Sequence, residues 1–122
     1  MIVMTIGEVS EKYEMTADTL RYYERIGLIP PVPRNKNGIR NFDEEACKWV
    51  SFVKCMRSAG VQIEALIEYI ALLQAGTGIE RRKNILIEQR ARLQKQAEHL
   101  RLTIERLDYK IENYEKLFAK KN

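Results

Sequence analysis

The apolar positions of this chain fall into short stripes of helical spacing over its first 75 residues, and into a seven-residue repeat beyond residue 78. The first stripe is Ile6, Val9 and Tyr13. Thr5 and Glu8 stand before it at capping-box spacing, and Met4 and Val9 occupy the two staple positions. This pattern predicts a helix from Ile6 to about Tyr13. Thr16 opens a second helix, with Met15 and Leu20 as its staple. Leu20, Tyr23 and Ile26 turn inward, and Gly27 suits a left-handed cap. Two capped helices so closely joined predict a helix-turn-helix. Pro30, Pro31 and Pro33 forbid helix and hold an extended linker. Asn37-Gly38, at the centre of residues 34–42, predicts a type I′ turn between two strands. A ribbon this short must lean on the helices, which makes it a wing. Asp43 caps a third helix, Glu44 to about Ser58, with Ala46, Trp49, Val50, Val53 and Met56 as its stripe. A fourth runs from Ile63 to about Gln74 through Ile63, Leu66, Ile67, Ile70 and Leu73, before Gly76 and Gly78.

From residue 79 to residue 118 there is neither Pro nor Gly, and the spacing changes. Ile79, Leu86, Leu93, Leu100, Leu107 and Tyr114 recur every seven residues, interleaved with Lys83, Arg90, Ala97, Ile104, Ile111 and Phe118. Such a heptad predicts one long coiled-coil helix. Its seam is apolar and needs a partner, most simply a second copy of the chain. In a parallel pair Lys83 and Arg90 would each meet themselves; an antiparallel pair separates them, and an antiparallel homodimer is expected. Leu86, Leu93, Leu100, Ile104, Leu107, Ile111 and Tyr114 are the dimerisation residues.

Charge adds direction to this frame. The 122 residues carry a net charge of +4, too mild to identify a partner alone. Locally, residues 19–42 hold Arg21, Arg25, Arg34, Lys36 and Arg40 against the single acid Glu24. A helix and a wing of one sign suit a polyanion, and double-stranded DNA is the expected partner. Residues near the start of a second helix of this kind face the major groove. Arg21 suits guanine or a phosphate, while Thr16, Thr19 and the Tyr22 phenol suit phosphate oxygens. Arg34, Lys36 and Arg40 would follow a backbone or enter the minor groove. Cys47 and Cys55 lie about 12 Å apart along one helix, too far for a disulfide. Free thiols, with no signal peptide and no long apolar run, predict a cytoplasmic protein that does not enter a membrane. One histidine and no phosphate-binding glycine loop argue against an enzyme, and no cofactor is expected.

The segments TIGEVSEKYEMTADTLRYYERIGLIPP, GIRNF and DEEACKWVSFVKCMRSAG, followed by the heptad helix, resemble the MerR family of bacterial transcription regulators. The resemblance covers essentially the whole chain. It implies an antiparallel coiled-coil dimer that binds a palindrome in a promoter spacer and activates by distorting the DNA, with RNA polymerase as the partner at the promoter. It also implies DNA contacts from Arg21, Tyr22, Tyr23 and Arg40, with Thr16, Thr19 and Arg57 on phosphates. Metal-sensing members carry cysteines at the start of the long helix and after it. This chain has Ile79 at that start and no cysteine beyond Cys55, so no metal site is expected, and His99 alone makes none. FVKCMRSAG resembles the branch responding to aldehydes and thiol stress, which makes Cys55 the sensor candidate. Lys54 and Arg57 nearby could lower its thiol pKa, although neighbours along a helix do not face each other.

The expected fold is therefore mainly α, a winged helix-turn-helix domain with a supporting helix pair over residues 1–75, then a dimerisation helix over residues 76–122. The expected function is a sequence-specific, DNA-binding transcription regulator. The alternatives are a non-specific architectural DNA binder and a coiled-coil adaptor that binds no DNA.

Overall fold

In the computed structural model, which describes residues 3–118, the capping box forms as its spacing requires. The Thr5 hydroxyl accepts the Glu8 N–H at 3.1 Å, and the Glu8 carboxylate accepts the Thr5 N–H at 2.8 Å. Helix α1 (Ile6–Tyr13) follows, and α2 (Ala17–Arg25) starts from Thr16, whose hydroxyl accepts the Thr19 N–H. The turn between them is tighter than a loop, because Glu14 takes a left-handed conformation at φ 54°. Its N–H and that of Met15 both return to the Ser10 carbonyl. Gly27 leaves α2 at φ +82°, where a side chain would be strained. Helix α3 (Glu44–Ser58) is capped by Asp43, and α4 (Ile63–Ala75) ends in left-handed Gly76. Helix α1 packs against both α2 and α3. The core beneath them is Val9, Leu20, Leu28, Ile29, Phe42, Val50, Val53, Leu66 and Ile70, all but fully buried.

The wing departs from the expected turn. Among the described residues it contains no extended strand, only an isolated bridge between Arg34 and Arg40 and another between Met4 and Phe42. A type I′ turn needs positive φ at two central residues, and here only Gly38 has it, at +79°. The loop has three residues instead, closed by the Asn35 N–H on the Ile39 carbonyl at 2.8 Å. Asn35 decides this: its side-chain oxygen accepts both the Asn37 and Ile39 N–H groups, an Asx turn that recruits Lys36 into the loop.

Glu24, on α2, fixes the wing to the helix-turn-helix. One carboxylate oxygen accepts the Val32 N–H of the proline linker at 2.7 Å, and the other accepts Arg40 Nε of the wing at 2.7 Å. Glu24 is 14% exposed and Arg40 21%. Burial alone would raise the Glu24 carboxyl. The Val32 hydrogen bond and the positive charges of Arg40 and Arg34 more than offset it, holding the group below its ordinary 4.5.

Helix α5 spans Ile79–Glu112 and a short α6 covers Tyr114–Phe118. The chain forms two compact units, Met1–Gln89 and Arg90–Asn122. In the first unit the opening turns of α5 are anchored by buried Ile85 and Gln89. The Gln89 amide donates to Gln62 Oε1 at 3.0 Å and its own oxygen accepts the Gln62 N–H at 3.2 Å. Arg81 grips Glu68 with two bonds of 2.8 Å. In the second unit the expected single helix to residue 118 is interrupted at Asn113. Its side-chain amide donates to the Tyr109 carbonyl at 2.8 Å beside its own N–H at 3.0 Å, and the Leu117 N–H reaches the Asn113 carbonyl at 2.8 Å, so the backbone bonding carries on across the break. Tyr114 and Phe118 belong to α6 and pair with each other, ring centroids 4.6 Å apart.

Replacing Glu24 tests its place in the fold. Glu24→Ala leaves a part-buried N–H and a guanidinium unpaired and should cost roughly 2–3 kcal/mol, read by chemical denaturation. Glu24→Gln, which keeps an acceptor for Val32, should cost less. Because the folded carboxyl titrates below 4.5, its contribution is complete above that pH and is lost as pH falls through the lower folded value. Thermal melts from pH 7 to pH 3 should show a steeper acid loss in the wild type than in Glu24→Gln.

Candidate nucleic-acid interface

The outward face of α2 carries Thr16, Arg21, Tyr22 and Arg25 in exposed positions. Thr16 accepts from the Thr19 N–H at 3.0 Å and donates to the Thr19 hydroxyl at 2.8 Å, so the pair serves as the cap of α2. Arg21 lies 3.0 Å from Asp18, with the arginine 46% exposed and the aspartate 95% exposed. An ion pair so open is worth little, and Arg21 can exchange it for a base edge or phosphate at small cost. Arg25 sits over the Tyr22 ring, 5.2 Å from its centroid, and fixes the direction of the phenol. Reading the sequence places Arg25 on this face without a role; the stacking assigns it one.

Tyr23 differs from the rest. Its side chain is half-buried, and its carbonyl accepts the N–H groups of Leu28 at 2.8 Å and Ile29 at 3.3 Å. It holds the exit of α2 at least as much as it faces outward. On the wing, Arg34 folds back to donate to the Gly38 carbonyl at 2.8 Å, stiffening the tip. Lys36 is exposed and, among the described residues, makes no ion pair. Arg40 is not a loose cation, since its Nε belongs to Glu24. The structure thus brings the α2 face and the wing together through an acid that the sequence presents only as an interruption in a basic stretch.

Arg57 and Lys54 also have internal duties. Arg57 donates to the Val61 carbonyl beyond the end of α3, and Lys54 donates to the Tyr13 carbonyl at the end of α1, 3.9 Å from Glu14. Lys54 acts where the Tyr13 carbonyl carries the negative end of the α1 dipole, whereas Arg57 ties the connection between α3 and α4. The two cations nearest Cys55 in sequence are thus engaged with backbone carbonyls. Cys55 itself is exposed and Cys47 half-buried, both as free thiols. Burial pushes the Cys47 thiol up, with the Lys12 charge opposing it, and Cys47 Sγ rests 3.8 Å from Met4 Sδ. Along α5, Leu86, Leu100, Ile104, Leu107 and Ile111 are exposed, Leu93 is half-buried, and Tyr114 is exposed on α6.

The model of the MerR HTH family regulatory proteins matches residues 4–81. The HTH-type transcriptional regulator AdhR of Bacillus subtilis is 57% identical over 91 residues, covering 74% of this chain and 65% of that regulator, just under two thirds of its length. The crystal structure of a MerR family transcriptional regulator from Listeria monocytogenes superposes with a TM-score of 0.88 at 47% identity, over 92% of this chain and 86% of that one. HiNmlR, described as a MerR family regulator lacking the sensor domain and bound to promoter DNA, gives a TM-score of 0.85 at 28% identity, over 97% of this chain and 94% of that one. With the family pattern running through α1, α2, the wing, α3 and α4, this chain belongs to the MerR HTH family of regulatory proteins.

Proposed function

We propose that this chain is a homodimeric, sequence-specific transcription regulator acting on double-stranded promoter DNA. Two copies pair antiparallel along the heptad face of α5, each places α2 in a major groove with its wing alongside, and the bound palindrome is distorted so that RNA polymerase can use the promoter. The observation that carries this reading is the locking of an exposed Arg21–Tyr22–Arg25 face to a basic wing by Glu24 and Arg40. The exposed apolar row on α5 supports the dimer, since burying it needs a second helix. Residues 1–75 act as the reading module and residues 76–122 as the pairing module.

Within this reading Arg21, Tyr22 and Lys36 contact DNA directly, Thr16, Thr19, Arg34 and Arg57 supply phosphate contacts, and Tyr23 and Arg40 hold the reading surface in shape. Fluorescence anisotropy with a palindromic promoter fragment, against excess bulk DNA at fixed salt, should show Arg21→Ala binding at least about tenfold weaker. Arg40→Ala should weaken binding too, and its effect should overlap with that of Glu24→Ala in a double-mutant cycle, whereas Arg21→Ala should add to either. If wild-type affinity follows salt and ignores sequence, the protein is an architectural binder. If the wild type binds neither the promoter fragment nor bulk DNA, the coiled-coil adaptor takes its place, and an unchanged affinity in both Arg21→Ala and Lys36→Ala removes those residues from the contact surface.

Cys55 completes the proposal as the sensing thiol, attacked by an electrophile such as an aldehyde. Its support is exposure on α3 and the sequence resemblance, not a cationic neighbour, since Lys54 and Arg57 are engaged elsewhere. A reporter driven by the cognate promoter should respond to an aldehyde in the wild type and stay flat in Cys55→Ser. An unchanged response in Cys55→Ser removes Cys55 from the mechanism and leaves DNA binding untouched.

A further inference from the structure

A cavity of about 420 Å³ opens between the proline linker, the first turns of α3 and the end of α4. That is a small-molecule volume. Its walls are largely apolar, with Ile29 and Val32 buried and Leu73 at the far side, and the half-exposed indole of Trp49 supplies an aromatic face. The charged groups on its lining are Asp43 and Glu45, both acidic, and no lysine or arginine faces it. One Asp43 oxygen accepts the Ala46 N–H at 2.9 Å, leaving the other for a ligand. Among the described residues Glu45, which is exposed, makes no ion pair, while Lys48 on the next turn lies 3.7 Å from Glu44. The start of α3 contributes about half a positive charge, which two carboxylates exceed. An aromatic face, two carboxylates and apolar walls are complementary to a cation carried on an apolar body. An anion would meet repulsion there, and a neutral molecule would gain nothing from the charge of the half-buried Asp43 and the exposed Glu45.

We propose that this cavity binds a small organic cation with an apolar body, a quaternary ammonium or aralkyl amine, and that its occupancy adjusts the wing. The second half rests on the DNA-binding reading above. The chain enters the wing through Pro33, whose carbonyl accepts the Asn41 N–H at 2.7 Å, and leaves it at Asp43. The cavity is walled by both of these approaches. Val32, on its lining, is the residue whose N–H binds Glu24 on α2. A ligand bridging the linker and Asp43 therefore touches both roots of the wing and the bond that sets its place against α2.

Trp49 is the only tryptophan, so intrinsic fluorescence reports on this site without a label. The full chain is titrated with benzyltrimethylammonium, with benzyl alcohol and with benzenesulfonate, at matched ionic strength. The cation should give a saturable change, benzyl alcohol a much weaker one, and the sulfonate none. The double variant Asp43→Asn, Glu45→Gln should bind the cation at least about tenfold more weakly. Asparagine also caps helices well, so α3 should persist, and circular dichroism checks this. No saturable change with the cation, equal binding of the sulfonate, or an unchanged affinity in a folded double variant overturns the site. In a parallel arm, promoter affinity is measured with and without saturating cation, and a change of about threefold or more is expected, equivalent to about 0.65 kcal/mol. An unchanged affinity overturns the coupling to the wing. Cation binding with no promoter binding at all overturns the DNA-binding reading and leaves the site standing.

Discussion

A single carboxylate holds α2, the proline linker and the wing together. Glu24 is taken largely out of water, a cost repaid by a backbone N–H and a guanidinium at 2.7 Å each. Removing any one of the three leaves a charged or polar group unmatched, so linker, helix and wing hold as a unit. The wing has little else with which to keep its place. It contains no extended strand, its ladder is one bridge, and its tip is tied only to itself through Asn35, Arg34 and Gly38. Phe42 anchors its far end through the bridge to Met4 and complete burial, while Glu24 fixes its near end and its direction.

That arrangement changes what the basic residues mean. A cluster of cations beside one acid suggests a surface of interchangeable charges. The structure sorts them instead by what each has already bound. Arg40 and Lys54 are committed to a carboxylate or to a carbonyl at a helix end, Arg34 and Arg57 each give one bond to a nearby carbonyl, Arg25 lies over Tyr22, and Arg21 and Lys36 are the most open to a partner. An exposed pair such as Arg21–Asp18 dissociates cheaply, whereas Arg40–Glu24 does not. Substitutions among residues of one charge are thus expected to differ in kind, some removing a contact and others dissolving the platform that carries it.

The helices and their caps were legible because cap chemistry is local. Thr5 with Glu8, Thr16, Asp43, Gly27 and Gly76 each act within a few residues, and the structure uses all of them. The same locality explains what was missed. Asn37-Gly38 carries a strong turn signal, but Asn35 outbids it with two side-chain bonds. At the other end of the chain, the heptad spacing continues through Asn113, where the helix is interrupted at one residue while the backbone bonds on either side of it persist. Glu24 was not legible at all. Its partners lie eight and sixteen residues away across a proline linker, and only the folded chain makes it central.

The helix proposed to pair, α5, follows a complementary logic. Ile85 and Gln89 are consumed within the first compact unit, so the opening turns of α5 cannot offer their whole circumference to a partner. The row Leu86, Leu93, Leu100, Ile104, Leu107 and Ile111 runs past them on its own spacing and remains largely open. Lys83 and Arg90 interrupt that row near its beginning only. In the proposed antiparallel pair each then faces the apolar, carboxyl-terminal half of the other helix, where its stem can lie along Leu107 or Ile111 and its charge can reach solvent. A parallel pair would stack like charges twice and gain nothing at the other end.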